Sequence, residues 1–251
     1  MASPKLPNGV ILYQGPSLLD GAPIVVIATG LAKRTNNEKT GDMVQTWIIR
    51  ADVAPNEALA TGQDASVCGD CPARPANGGH CYVRVWQAPL VIFKAFTRSL
   101  YPVAADRAAI RAVGAGRMVR LGSYGDPAAV PLSVWQDLTS GATGWTGYTH
   151  QWRKADGLKA FCMASADDAE EAEEARASGW RTFRIREAGE PVADRVEFVC
   201  PASKEAGQKT DCASCKACMG TDAKAKASPV IIAHGPTARR FALYRAGVAA
   251  S

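Results

Sequence analysis

The chain has 251 residues, 47% hydrophobic and 21% charged, which is enough to bury a core in one large α/β domain and excludes a disordered chain. Its net charge of +5 is carried by no basic block, so it permits an anionic ligand or nucleic acid without arguing for either. Residues Met1 to Gln14 lack a signal-peptide layout, and the longest apolar run, Ala22–Ala28, is too short for a bilayer. The expectation is a cytoplasmic protein with no membrane partner and reduced thiols.

In chain order, Ile24–Thr29 and Thr46–Val53 are β-branched runs that predict strands. The polar stretch Lys33–Met43 between them, with Asn36, Asn37 and Gly41, predicts a loop. Its Lys39-Thr40-Gly41-Asp42 lacks the phosphate-loop pattern, so no NTPase is expected. A cysteine-bearing loop runs from Cys68 to Cys81, followed by Val83–Lys94 as a strand leading into a helix. Asp106–Gly114 has a capping Asp, an apolar stripe and a closing Gly, which together predict a helix.

From there strands and helices alternate. Strands are expected at Met118–Ser123, Thr146–Thr149, Lys159–Ala164, Arg181–Arg186 and Val196–Val199, and helices at Pro131–Leu138 and Asp167–Ser178. After a linker at Thr221–Ser228, Val230–Ala233 reads as an edge strand and Thr237–Ala246 as a terminal helix. This rhythm predicts a single α/β domain over residues 1–251 with mainly parallel strands, most simply an open partial (β/α) barrel. An open doubly wound sheet is the alternative. Asp126, His150, Cys162 and Cys200 are all expected near strand ends, on the carboxyl edge where such sheets build their sites.

Six of the eight cysteines fall in two tight groups. In the C-terminal, cysteine-rich segment 200–220, Cys200-Pro201 is followed by Cys212-x-x-Cys215-x-x-Cys218. Three thiolates at i, i+3 and i+6 with a distant Cys-Pro is ferredoxin-like spacing for a [4Fe–4S] cluster, although zinc also accepts four thiolates. The four cysteines are expected to converge on one centre. The first group, Cys68-Gly-Asp-Cys71-Pro and His80-Cys81-Tyr82, supplies three thiolates. Its fourth position would be taken by Cys162, by His80, or by no protein group, leaving the centre open to substrate or cofactor.

The C-x-x-C-P…G-H-C-Y segment, the strand end Gly122-Ser123-Tyr124-Gly125-Asp126-Pro127 and the terminal C-P…C-x-x-C-x-x-C together resemble an uncharacterised phage- and prophage-borne family. More weakly they resemble the radical S-adenosylmethionine enzymes, which carry a three-cysteine loop after the first barrel strand and a Gly-Gly-Glu-Pro-like turn after the second. Those enzymes often hold an auxiliary cluster after the last strand. The resemblance covers roughly residues 46–220, and it implies that Tyr124, Gly125 and Asp126 help hold the methionine portion of S-adenosylmethionine. The cluster loop here, C-x2-C-x9-C, departs from the usual C-x3-C-x2-C.

Asp126 and His150 are the candidate catalytic groups, His150 as a general base. Asp126 equally suits a helix cap, and a lone His equally suits a structural role. Trp145, Tyr148, His150 and Trp152 make an aromatic strand end suited to a planar group or to core packing. Arg181, Arg184 and Arg186 crowd one strand and would line an anionic cavity or face solvent. The expected function is an iron–sulfur enzyme acting on a nucleotide, a nucleic-acid base or another small molecule, supplied with electrons by a reductase or other donor. The alternatives are a zinc-stabilised nucleic-acid-binding module and an iron–sulfur electron carrier.

Overall fold

The computed structural model describes residues 7–33, 37–221, 225, 227–235 and 237–247. The strands are β1 (Gly9–Pro16), β2 (Pro23–Thr29), β3 (Met43–Arg50), β4 (Met118–Tyr124), β5 (Gly144–Thr149), β6 (Met163–Ala166), β7 (Thr182–Arg186), β8 (Glu197–Val199) and β9 (Ser228–Ile232). The helices are α1 (Pro55–Thr61), α2 (Ala65–Cys68), α3 (Ala88–Thr97), α4 (Arg107–Gly114), α5 (Leu132–Thr139), α6 (Ala169–Ala177), α7 (Cys212–Cys215) and α8 (Ala238–Arg245).

All nine strands join one open sheet in the order β1-β2-β3-β4-β5-β6-β7-β9-β8. β1 and β2 run antiparallel to their neighbours, whereas every pairing from β3 through β9 to β8 is parallel. The fold is therefore α/β with a mostly parallel sheet. Ile24 to Ala28 of β2 are buried without alternation, as expected for a strand covered on both faces. Among the described residues no helix is long and apolar enough to cross a membrane.

Local signals place the helices. Asp106 accepts from the Ala109 amide at 2.8 Å and starts α4, while Asp168 accepts from Glu171 at 2.7 Å and starts α6. Pro55 opens α1 with the backbone angle a first helical turn needs.

Several boundaries differ from the sequence reading. β1 is an additional strand, with Gly and Pro at its ends. β3 starts and ends three residues earlier than expected. Residues 83–85 form no strand, and only the helical half of the Val83–Lys94 expectation appears, as α3. The expected edge strand near Val230 is instead internal, because β9 lies between β7 and β8. Of the expected loop at Lys33–Met43 and linker at Thr221–Ser228, residues 34–36, 222–224 and 226 lie outside the described residues.

The correction with most bearing on the site concerns Cys162. A short 3-10 turn at Asp156–Leu158 occupies the start of the expected strand, and the Leu158 carbonyl accepts from both Phe161 and Cys162 at 2.8 Å. β6 thus begins after Cys162, which sits at the strand's amino end rather than with Asp126, His150 and Cys200 at the carboxyl edge.

Candidate functional site

The loops that follow the carboxyl ends of β3, β4, β5 and β8 meet around a cavity of about 640 Å³. All seven cysteines of the two groups line it, although residues 81 and 200 are far apart in the chain. One face of the sheet supplies its floor. Gln45, Arg120 and Thr146 stand in register across β3, β4 and β5, as do Ser165 and Phe183 across β6 and β7.

The first cysteine loop is built around Arg74. Its guanidinium makes a two-point ion pair with buried Asp64, at 2.9 and 2.7 Å, and donates to the carbonyls of Gly62 and Gly69 at 2.9 Å. Asn77 donates to the Cys71 carbonyl at 2.9 Å, and the Cys81 amide donates to Ala73 at 2.9 Å. A buried, charge-assisted fork of this kind fixes a loop that has little regular structure of its own. Spacing alone did not reveal it. The only signal is an Arg between two prolines inside a cysteine loop.

The turn after β4 locks onto this loop. The Asp126 amide donates to the Val67 carbonyl at 2.6 Å. Register between β3 and β4 slips here, since Gln45 pairs with Arg120 but Trp47 pairs with Tyr124. The Thr46 hydroxyl bridges the slip, donating to the Arg120 carbonyl and accepting from the Gly122 amide, both at 2.9 Å. Gly122 and Gly125 have φ of +68° and +83°, and a Cβ on Gly125 would lie 2.7 Å from the Ile48 carbonyl oxygen. Both positions therefore require glycine.

Asp126 is buried with its carboxylate engaged three times, by the Thr149 hydroxyl at 2.7 Å and by the amides of Ala128 and His150 at 2.9 Å. Burial raises its pKa, and these donors oppose the rise. His150 places Nδ1 3.3 Å from Cys71 Sγ and Nε2 3.6 Å from Asp167 Oδ1. Burial disfavours its charged form, but the Cys71 sulfur and Asp167 outweigh this and hold its pKa well above the ordinary value. The other oxygen of Asp167 lies 3.7 Å from His80 Nε2, and the His80 ring packs on Tyr244 at 4.8 Å between centroids. His80, Asp167 and His150 are thus a buried row behind the first cysteine loop. Position in sequence suggested His80 and His150 but not Asp167, which reads as a helix cap.

Burial pushes the Cys68 thiol well up, and the neighbouring Cys71 and Cys81 push it further. Cys162 is also raised, by burial first and then by Asp126. It belongs to the core, against Gly147. The structure therefore does not bring Cys162 to the first group.

The C-terminal group is held differently. Cys200 follows β8 and donates its amide to Val230 at 2.8 Å. Asp211 caps α7 by accepting from Ser214 at 2.7 Å, and left-handed Lys216 ends it, turning the chain towards Cys218. The amides of Cys212 and Ala213 donate to the carbonyls of Lys39 and Thr40 at 2.9 and 3.0 Å. The polar loop before β3, which carried no functional expectation, thus docks on the cysteine segment and brings Lys39 into the cavity.

Burial raises Cys200 and Cys212 and pushes Cys218 up to about 12, with Cys212, Cys200 and Cys215 adding to the last and Tyr148 opposing. Lys39 and Arg120 act the other way on Cys212. Lys39 is itself lowered by burial, and Arg120 adds to that effect. Thiols held this way are neutral at pH 7 unless a bound cation drives their protons off. The donor set is soft and sulfur-only, which suits iron–sulfur clusters or zinc.

Among the described residues no three His, Cys, Asp or Glu side chains are arranged to hold a single metal ion. A mononuclear zinc site would need thiolates at about 2.3 Å from the metal, roughly 3.8 Å from one another. What unites each group is burial and one shared cavity wall. Arg181, Arg184 and Arg186 do not line that cavity. Arg184 pairs with buried Glu197 at 2.7 Å, and Arg186 pairs with Glu205. Of the aromatic strand end, Tyr148 and His150 line the cavity, whereas Trp152 packs in the core.

No family model matches the chain, and neither a curated protein nor a solved structure is similar to it.

Proposed function

We propose that the chain is an iron–sulfur enzyme of the radical S-adenosylmethionine type, built on a partial (β/α) barrel, with both cysteine groups opening on one substrate chamber. The observation that carries this reading is that single cavity over one face of a mostly parallel sheet, lined by all seven grouped cysteines, with the first group beyond the carboxyl ends of β3 and β4 and Cys212 and Cys218 beside the amino ends of β3 and β5. Strand order supports the barrel. From β3 to β7 it runs without reversal, whereas a doubly wound sheet reverses at its switch point. The order of parts also supports it, with three cysteines after the first parallel strand, a Gly-rich carboxylate turn after the second, and four cysteines in segment 200–220.

Thiolate-only donors with Cys-Pro and C-x-x-C-x-x-C spacing favour [4Fe–4S] ligation of Cys200, Cys212, Cys215 and Cys218 over zinc. Cys68, Cys71 and Cys81 would hold the second cluster with one position left open, a cluster that, with S-adenosylmethionine bound beside it, would supply one-electron reductive chemistry drawn from an external reductase. The chain's own residues prepare the place. Gly122 and Gly125 let the Tyr124-Gly125-Asp126 turn approach the first cysteine loop. Asp126, its carboxylate saturated by three donors, orients the backbone at His150. His150 sits between Cys71 and Asp167, so both groups expected to be catalytic act as positioning residues for the loop. The substrate is a nucleotide, a nucleic-acid base or another small molecule, with electrons delivered by a reductase.

Anaerobic purification with iron, zinc and acid-labile sulfide analysis tests the cofactor. Brown protein with sulfide is expected, and its iron should fall by roughly half in Cys71→Ala or in Cys215→Ala. S-adenosylmethionine should perturb the electron paramagnetic resonance spectrum of the first cluster alone. Zinc without sulfide would instead establish the zinc-stabilised module, and clusters indifferent to S-adenosylmethionine would leave an electron carrier.

A further inference from the structure

Charge pairing inside the molecule is uneven. Three buried arginines away from the cavity have carboxylate partners: Arg74 with Asp64, Arg184 with Glu197, and Arg186 with Glu205. Beside exposed Arg84, two cations in the cavity wall do not. Arg120, midway along β4, donates through Nη2 to the Tyr82 hydroxyl at 2.9 Å, and Lys39 Nζ lies 3.3 Å from His234 Nε2. Among the described residues neither has a carboxylate within ion-pair distance. An arginine has five N–H donors in a planar fork, so most of the Arg120 fork is left for a ligand.

Two unpaired positive charges in one partly desolvated cavity are unfavourable unless an anion joins them. The wall beside them is aromatic. Tyr148 and Phe183 meet edge to face at 4.8 Å, and Trp47 is held by its Nε1–H to Thr29 at 2.8 Å. Fixed rings of this kind suit a flat, apolar body.

Resting on the reading of this cavity as a substrate chamber, we propose that its substrate is a planar molecule carrying a phosphate or carboxylate, whose oxygens are bound by Arg120 and Lys39 while its flat part lies against Tyr148, Phe183 and Trp47. Arg120 provides a two-point grip on the oxyanion, and Lys39 provides a point charge. The competing role for both cations is to offset the charge of the Cys212 group, which feels them both.

Anaerobically purified full-length protein, titrated by calorimetry, separates these roles. The probes are adenosine monophosphate against adenosine, and benzoate against benzamide, so the phosphate and carboxylate arms are read apart. The charged member of at least one pair is expected to bind more tightly by roughly tenfold or more, as hydrogen bonds to charged groups do. Arg120→Gln should abolish that preference, Lys39→Gln should reduce it, and Arg120→Lys should retain part of it, with iron and sulfide contents unchanged. Circular dichroism checks that each variant is folded. No preference in either pair overturns the proposal, and so does loss of iron or sulfide in Arg120→Gln with probe affinities unchanged. An anion preference in protein that holds only zinc would sustain this inference while removing the iron–sulfur reading.

Discussion

The two cysteine loops face one cavity but are built on opposite plans. The first is self-contained: Arg74, Asp64 and Asn77, all within residues 64–77, staple it from inside, and a histidine–carboxylate row backs it. The second is tied by backbone turns, with Gln208 donating to the Ser203 carbonyl at 2.8 Å and Lys209 to the Pro201 carbonyl at 3.0 Å, and by the Asp211 cap, and it also leans on the distant Lys39–Thr40 backbone. The environments differ as well, with Asp64 and Asp126 near Cys68 but Lys39 and Arg120 near Cys212.

The comparison breaks most visibly at Arg74. Arg74→Leu strands a buried Asp64 and should lower stability by about 3–5 kcal/mol in urea unfolding, with the first cysteine group losing its metal before the second. An unchanged unfolding midpoint would show that the loop is held by its metal alone. Gly125→Ala comes next. It forces a left-handed alanine against the Ile48 carbonyl and should cost about 1–3 kcal/mol, together with the response of the first site to S-adenosylmethionine.

Cys162→Ala sharpens the assignment of ligands. It should cost about 1 kcal/mol for one lost buried atom and leave the metal content equal to that of the parent protein. Loss of metal as complete as that expected for Cys71→Ala would make Cys162 a ligand after all. The smallest effect is expected from Asp211→Ala, which removes the cap of α7 at about 1 kcal/mol. Chelator-driven metal release should accelerate from the C-terminal group and not from the first, and equal acceleration at both would contradict the division drawn here.

Sequence by itself determined the alternating elements, because their signals are local. Asp106 caps the helix it was expected to cap, Asp168 caps α6 where Asp167 or Asp168 was expected, and the β-branched runs became strands. It also singled out the two cysteine groups, since thiol spacing on loops is a short-range property. Boundaries failed where one contact outweighed propensity, as at Cys162, where the 3-10 turn consumed the start of the strand. Strand order was decided only by tertiary structure. Val230–Ala233 reads as a returning edge strand, yet β9 is inserted between β7 and β8, because pairing partners are set by the whole sheet rather than by any one segment. The same holds for the cavity. Nothing local to Lys39 or Arg120 marks them, and they matter because folding brings a loop before β3 and the middle of β4 to one cavity, where burial makes their charges count.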